Sequence, residues 1–358
     1  MPPLELSSVD DVLGPRAGRF LGEGFKQAGH ALSGITITPQ TGAGTGTGTG
    51  AGTAAGITAT AHLTPPPGHP HHQNTAPTPT PASAPRLNTI DAMLFGAQLT
   101  GLYAAHTHQL APDAHFAVRH LEMRAGTGRA HDEPERFPVS GRPVPAQQPG
   151  PPTETTLNCR IGSLSAQIHT RHSPARPARL GGPGGAGQAY DLPEELPGPW
   201  NEAPYGIAHT ARRQLLTQVS VLVADGRACA RATLAAPLSA AVPAGAPATM
   251  VDAFVAVLQL GQVLLYTLDG VEAGHGDHLR MRRARITAAP ASAARPTDQA
   301  TAALAQAQLL PFTAGIWRTA QIRGALHGIQ VQAHVAHLLP ASWPGRERPH
   351  RHLAGAPS

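Results

Sequence analysis

The chain has 358 residues, 41% of them apolar, with 39 glycines, 37 prolines and a formal net charge of +5. That length allows one large domain or two of ordinary size, and the apolar content keeps the chain out of the disordered regime despite its Gly and Pro. Lys26 is the only lysine and the arginines are scattered, which argues against nucleic-acid binding, while Cys159 and Cys229 are too few for a disulfide framework or a cysteine-based zinc site.

In chain order, "MPPLELSSVDDVLGPR" carries early acids and no apolar core of a secretory signal, so a cytoplasmic protein is expected. "GITITP" and "GITATAHLT" have the β-branched, period-two character of strands, and they flank a Gly/Thr tract at 41–53. The G-x-G spacings of that tract lack the strand-then-helix context of a dinucleotide fingerprint, so it reads as a flexible hairpin loop. Residues 64–86 are rich in Pro and His; His69, His71 and His72 sit in a segment that cannot preorganise metal ligands, so no metal site is expected.

"NTIDAMLFGAQLTGLY" at 88–103 opens a long apolar helix, followed by strands in "HFAVRHLEMR" and "NCRIGSLSAQIHTR", with Pro-rich connections at 138–153 and 173–199. In the second half, "QVSVLVAD" and "RACARATL" read as strands, "MVDAFVAVLQLGQVLLY" at 250–266 as a second apolar helix, and "HLRMRRARIT", "WRTAQIRG" and "IQVQAHVAHLL" as strands. Both helices hold carboxylates and glutamines that are costly in lipid, so they read as buried helices rather than membrane spans.

The two halves align. Asp91, Gln98 and Leu99 match Asp252, Gln259 and Leu260, all 161 residues apart; Ile161 and Ile168 match Ile322 and Ile329 at the same offset. Upstream, Gly22, Leu32 and Ile37 match Gly206, Leu216 and Val221, and "LEMR" at 121–124 matches "LRMR" at 279–282. The order is kept throughout, as a tandem duplication requires. Helices apolar on nearly every side need burial on several sides, which a sheet wrapped around one central helix supplies. The expected fold is therefore α+β, a tandem (double) hotdog: a first half over 1–175, a Gly/Pro-rich linker at 176–199, a second half over 200–342 and a flexible tail at 343–358.

"SSVDDVLGPRAGRFLGEGFKQAGHALSGI", "TMVDAFVAVLQLGQVLLYTLDG" with "LRMRRARI", and "WRTAQIRG" resemble the avirulence D (AvrD) family over most of the folded chain. The resemblance implies biosynthesis of small acyl-derived signals or secondary metabolites, acyl glycosides of the syringolide kind, made from a β-ketoacyl chain and a pentulose. It supplies no catalytic set. The implied substrates are an acyl thioester, on coenzyme A or an acyl carrier protein, and a sugar-like alcohol, with no separate cofactor; the carrier protein is a further partner, and the chain is expected as a monomer or homodimer.

Site residues come from the local chemistry. Thr249 with Asp252 fits a capping box and Asn88 with Asp91 nearly does, so one reading makes both acids helix caps. The other reading uses Asp91 or Asp252 as general base at a helix N-terminus lining a tunnel between the halves, with Gln98 or Gln259, two turns on, orienting the acyl carbonyl. His30 and His209 lie near the first strands of their halves, where hotdog dehydratases place a catalytic histidine; in the alignment His30 faces Gln214, not His209. Arg124 and Arg282 match across the halves and are candidate contacts for a phosphate or carboxylate, or else solvated strand residues. Acyl transfer onto an alcohol is the leading expectation; a hotdog dehydratase or thioesterase, or a non-catalytic acyl-ligand binding protein, are the alternatives.

Overall fold

The computed structural model describes residues 2–38, 55–64, 87–125, 135–145, 153–174, 187–196, 210, 212, 214–224, 227–234, 248–271, 279–289, 298–313 and 315–343. The Gly/Thr tract, the Pro/His-rich segment with His69, His71 and His72, His209 and the tail beyond 343 lie outside the described residues.

The chain divides into two compact units, one of residues 27–206 and one of residues 1–26 with 207–358. In the first, α2 (Thr89–His108) packs on strands β2 (Gly29–Thr38), β3 (Gly56–Thr64), β4 (Phe116–Arg124), β5 (Arg136–Pro143), β6 (Glu154–Ile161), β7 (Leu164–His172) and β8 (Gln188–Tyr190). Their order across the sheet is β4-β7-β6-β5-β3-β2-β8, with every pairing antiparallel. The second unit has the short helix α1 (Asp10–Leu13), the long helix α3 (Met250–Asp269) and strands β1 (Leu4–Ser8), β9 (Leu216–Ala224), β10 (Arg227–Leu234), β11 (Arg280–Ala288), β12 (Gln299–Phe312), β13 (Gly315–Leu326) and β14 (Ile329–Leu338). Their order, β11-β14-β13-β12-β10-β9-β1, repeats the first position by position, again antiparallel. Each unit is thus a hotdog fold, and the chain is a tandem pair, as the repeat predicts.

The duplication extends to irregularities. In β2 the register against β3 shifts between Ser33 and Thr36, where Gly34 has φ +58°; in β9 the shift falls at the equivalent place, where Gln218 has φ +52°. A bulge that turns two residues inward accounts for the pattern, because Leu32, Ile35 and Ile37 are buried in one strand and Leu216, Val219 and Val221 in the other. Both helices are 20 residues long and buried around most of their circumference. Close approach to the sheet explains the small residues: a Cβ on Gly261 would lie 2.5 Å from Ile322 Cδ1. Helix α3 is long and apolar enough to cross a membrane, but 83% of its most apolar window is buried within its unit.

Three expectations need correction. Residues 1–26 belong with the second half rather than the first, because β1 pairs with β9, from Leu4 opposite Val221 to Ser8 opposite Thr217. The stretches read as connections at 138–153 and 176–199 contain most of β5 and all of β8. Proline is tolerated in β5 because each one sits where a neighbour has ended: Pro138 pairs with Thr60 beyond the start of the β6 ladder at Val139, and Pro143 pairs with Leu157 beyond the end of the β3 ladder at Gly141. Finally, the matches after the helices slip. Ile161 precedes the Gly162 turn as Leu326, not Ile322, precedes the turn at His327 and Gly328, and the β4 bulge at Arg119 corresponds to the β11 bulge at Arg282, leaving Arg124 with no arginine equivalent.

Candidate active site

Asp91 and Asp252 are both helix caps. Asn88 Oδ1 accepts from the backbone N–H groups of Ile90 (2.8 Å) and Asp91 (3.1 Å), while Asp91 Oδ2 accepts from Asn88 N (2.9 Å). Thr249 Oγ1 accepts from Asp252 N (3.1 Å), and Asp252 Oδ2 accepts from Thr249 N (2.8 Å) and the Thr249 hydroxyl (2.9 Å). These reciprocal bonds satisfy N–H groups that no helical carbonyl can reach and place negative charge at the positive helix end.

Capping leaves each carboxylate with further capacity, and here the halves differ. Asp91 Oδ1 lies 2.7 Å from His30 Nε2, with both side chains almost wholly buried. Asp252 Oδ1 accepts from Gln214 Nε2 (2.7 Å), and its Oδ2 accepts from Arg212 Nη1 (3.0 Å). His30 and Gln214 are 184 residues apart, the separation of Leu32 from Leu216 and of the two bulges, so the alignment of His30 with Gln214 holds in space. Arg212 occupies the place of Ala28 by the same offset.

Chemically the two arrangements are not equivalent. An imidazole against a carboxylate is the pair that moves protons near neutral pH: the carboxylate fixes the tautomer, the Nε2–H donates to Asp91, and Nδ1 is left as the acceptor. His30 Nδ1 makes no hydrogen bond to any described residue. Phe95 meets the His30 ring edge-on at 5.3 Å and in turn packs against Phe137, which holds the ring's plane. A carboxylate facing a guanidinium and an amide has no proton to exchange, since neither partner titrates in water's ordinary range. Asp252 and Arg212 form a buried ion pair.

The glutamines repeat the contrast. Gln259 Oε1 accepts from Arg19 Nη1 (2.8 Å), and Arg19 also pairs with Asp10, so this amide is part of the lock that ties the N-terminal residues to α3. Gln98 Oε1 is buried and has no hydrogen-bond partner among the described residues. Burying a carbonyl oxygen so costs about 1–3 kcal/mol, a cost that a bound donor would remove. Arg124 pairs with Glu122 (2.8 Å) with its side chain 64% exposed, a solvated strand-end ion pair. Arg282 is exposed on its bulge, apart from the acids at the helix start.

The first-half set is therefore His30, Asp91 and Gln98, with Asn88 as cap. Sequence reasoning named all three as candidates and gave Asp252 and Gln259 equal standing, because Arg212 and Arg19 carry no local signature of the partners they find 40 and 240 residues away.

The far ends of both helices carry polar clusters that the sequence did not single out. At the end of α3, Asp269 accepts from Arg318 and lies 3.2 Å from His337 Nε2, all three buried, and Trp343 Nε1 donates to the Asp269 carbonyl (2.8 Å). At the end of α2, His172 Nδ1 donates to Ser173 O, so its Nε2 accepts from Thr155 Oγ1 (3.0 Å), whose oxygen accepts from His108 Nε2 (3.1 Å). Burial, with His172 beside it, pushes His108 down to about 4.

Fold and site together define a tandem hotdog protein with one acid paired to an imidazole and one acid held in an ion pair at equivalent helix starts. The sequence matches the family model described as Pseudomonas avirulence D protein (AvrD) over residues 4–340, and the chain belongs to that family. No curated protein matches the sequence. Among solved structures, it is similar to the tesB protein of Mycobacterium avium subs paratuberculosis (14% identity, TM-score 0.32, covering 74% of this chain and 90% of that one). It is also similar to an acyl-CoA thioesterase II, TesB2, from Mycobacterium marinum (12%, 0.30, 70% and 91%) and an acyl-ACP thioesterase from Bacteroides thetaiotaomicron (12%, 0.35, 70% and 90%).

Proposed function

We propose that the protein acts on an acyl thioester at the first-half site, transferring a β-ketoacyl group to the hydroxyl of a sugar-like alcohol. The observation that carries the reading is the 2.7 Å contact of His30 Nε2 with Asp91 Oδ1, set against the Arg212 and Gln214 contacts of Asp252 at the equivalent position. His30 Nδ1 takes the proton of the attacking hydroxyl, and Asp91 stabilises the imidazolium that results. The alcohol oxygen bonds to the thioester carbonyl carbon; as the tetrahedral species collapses the C–S bond breaks, and the proton on His30 leaves with the thiol. Gln98, with its oxygen unpartnered, accepts from a hydroxyl of the alcohol and orients it. The chemistry needs no metal or redox cofactor, since every proton and electron pair is accounted for by the two substrates and the His30–Asp91 pair.

Family membership supports an acyl-derived product, and the same dyad with water in place of the alcohol would give a thioesterase. Mass spectrometry separates the two: purified protein is incubated with a β-ketoacyl thioester, with and without a pentulose or triose phosphate. Product that requires the acceptor, survives in Gln259→Glu and is lost in His30→Gln is the expected result. His30→Gln installs in the first half the residue the second half already has at the equivalent place. Acceptor-independent release of the acid would support the thioesterase, and an unchanged thioester in every tube would overturn catalysis in favour of an acyl-binding protein.

A further inference from the structure

A second feature lies on the second unit, on the face of its sheet away from α3. Arg318, Ala320 and Ile322 of β13 point to the helix, as the Arg318 bond to Asp269 and the contact of Ile322 with Gly261 show. Alternation then directs Trp317, Thr319 and Gln321 to the opposite face. There they meet β11 and β14 around a hollow of about 650 Å³. Its lining includes Arg280, Arg282, Arg283, Trp317, Phe312 and His334, with no carboxylate among the described residues that line it.

Each of these residues has a structural cause. Strand β11 shifts register against β14 between Met281 and Arg283, so Arg282 is the extra residue of a bulge, with no residue opposite it. Bulges re-aim side chains, and they gather next to functional sites. Among the described residues, Arg282 makes no hydrogen bond or ion pair. Strand β12 runs on past the end of its pairing with β10 at Leu304, paired with β13 from Gln308 opposite Thr319 to Phe312 opposite Gly315, which carries Phe312, 59% exposed, to the hollow's edge. Arg280 lies 4.8 Å from the Trp317 ring centroid, fixing the indole as one wall. Burial lowers the His334 pKa, and Arg283 and Arg323 lower it further, as a locally positive field does.

The unpartnered Arg282 among three guanidinium groups, a half-buried Trp317, an exposed Phe312 and no acid among the described lining residues make a concavity of this size a site for something anionic that also has a flat ring. Pockets of about 300–1,000 Å³ suit small molecules, and planar guanidinium forks suit phosphate oxygens. We propose that this hollow binds a nucleoside phosphate, with its phosphate oxygens on Arg282 and Arg283 and its base against Trp317 and Phe312. A free nucleotide and the nucleotide end of a coenzyme A thioester share this chemistry. The inference is independent of the His30 site.

Calorimetric titration of the full chain with ADP, adenosine 3′,5′-bisphosphate, coenzyme A, adenosine and inorganic pyrophosphate tests it, in wild type, Arg282→Ala, Trp317→Leu and, as a control, Arg124→Ala. Saturable binding of a nucleotide or of coenzyme A, weakened at least tenfold by Arg282→Ala and by Trp317→Leu but unchanged by Arg124→Ala, is expected. Binding of coenzyme A alone would assign the site to the thioester's carrier, and binding of ADP as well would assign it to free nucleotide. Circular dichroism of Arg282→Ala checks that the fold is intact, which an exposed bulge residue should leave so. Pyrophosphate binding as tightly as ADP, equal losses in all three variants, or no saturable binding would each overturn the proposal.

Discussion

The ion-paired acid Asp252 should matter more to stability than Asp91, the acid that faces His30, and the two substitutions Asp252→Asn and Asp91→Asn separate them. Asp252 is wholly buried, and its partner Arg212 has a side chain only 6% exposed. Removing the charge leaves a guanidinium in the interior without its counter-ion, a change that costs about 3–5 kcal/mol. The capping box adds to that loss, because Asp252 is its N3 residue and both carboxylate oxygens accept, whereas an amide offers one accepting oxygen. Asp91→Asn leaves an imidazole that can stay neutral, so its cost is one altered buried hydrogen bond, about 1–3 kcal/mol. Urea unfolding followed by circular dichroism should therefore show the larger loss in Asp252→Asn, and thermal melts a drop of roughly 2–4 °C for each kcal/mol. The double variant Arg212→Met with Asp252→Asn removes the stranded cation and should recover much of the loss. A cost below about 1 kcal/mol for Asp252→Asn, or a double variant no more stable than the single one, would refute the ion-pair account.

Gly261→Ala drives a methyl group to within 2.5 Å of Ile322 Cδ1, so a loss of about 1–3 kcal/mol is expected from overpacking, and a smaller one in an Ile322→Ala background, measured by the same unfolding titration. His108 has a folded-state pKa of about 4, below its ordinary 6.5. The unfolded chain therefore takes up its proton first as pH falls: the contribution is complete above about 6.5 and lost between 6.5 and 4. Wild type should lose more stability than His108→Gln between pH 7 and 4.5, and parallel curves would contradict the assignment.

The sequence made the repeat visible where the pattern is strongest. The helix offset of 161 residues, the caps and the match of Leu32 and Ile37 with Leu216 and Val221 all hold in the fold. Strand β12 was missed because "QATAALAQAQLLPF" is rich in Ala and Gln, poor strand formers; Ala300 and Ala302 are buried against α3, where small residues fit. Strand β5 was missed because proline argues against an interior strand unless the ladder beside it has ended, and that is a property of neighbouring strands. The later matches slipped because the offset changes along the chain. It is 184 at the β2 bulge, 173 where Ala59 corresponds to Ala232, 161 in the helix and 163 at the bulges of Arg119 and Arg282. A fixed offset cannot follow loops of unequal length.

The difference between the two acids was not legible from the helices, because "TIDAMLFGAQL" and "MVDAFVAVLQL" present the same acid and the same amide at the same spacing. The difference lies in what arrives opposite them. A buried carboxylate must be paired, and either a permanent cation or an imidazole can do it, but only the imidazole leaves a proton that can move. Two positions decide the matter: Ala28 against Arg212, and His30 against Gln214. With Arg212 in place the second acid is held in a buried ion pair and its half is supported by Asp10, Arg19 and Gln259, so the duplicated helix start serves as a brace. With Ala28 in place the first acid has room for His30 alone. The amide two turns on follows suit, filled by Arg19 in one half and open at Gln98 in the other. Two exchanges, alanine for arginine and histidine for glutamine, thus separate an acid that faces an imidazole from one locked in a structural ion pair.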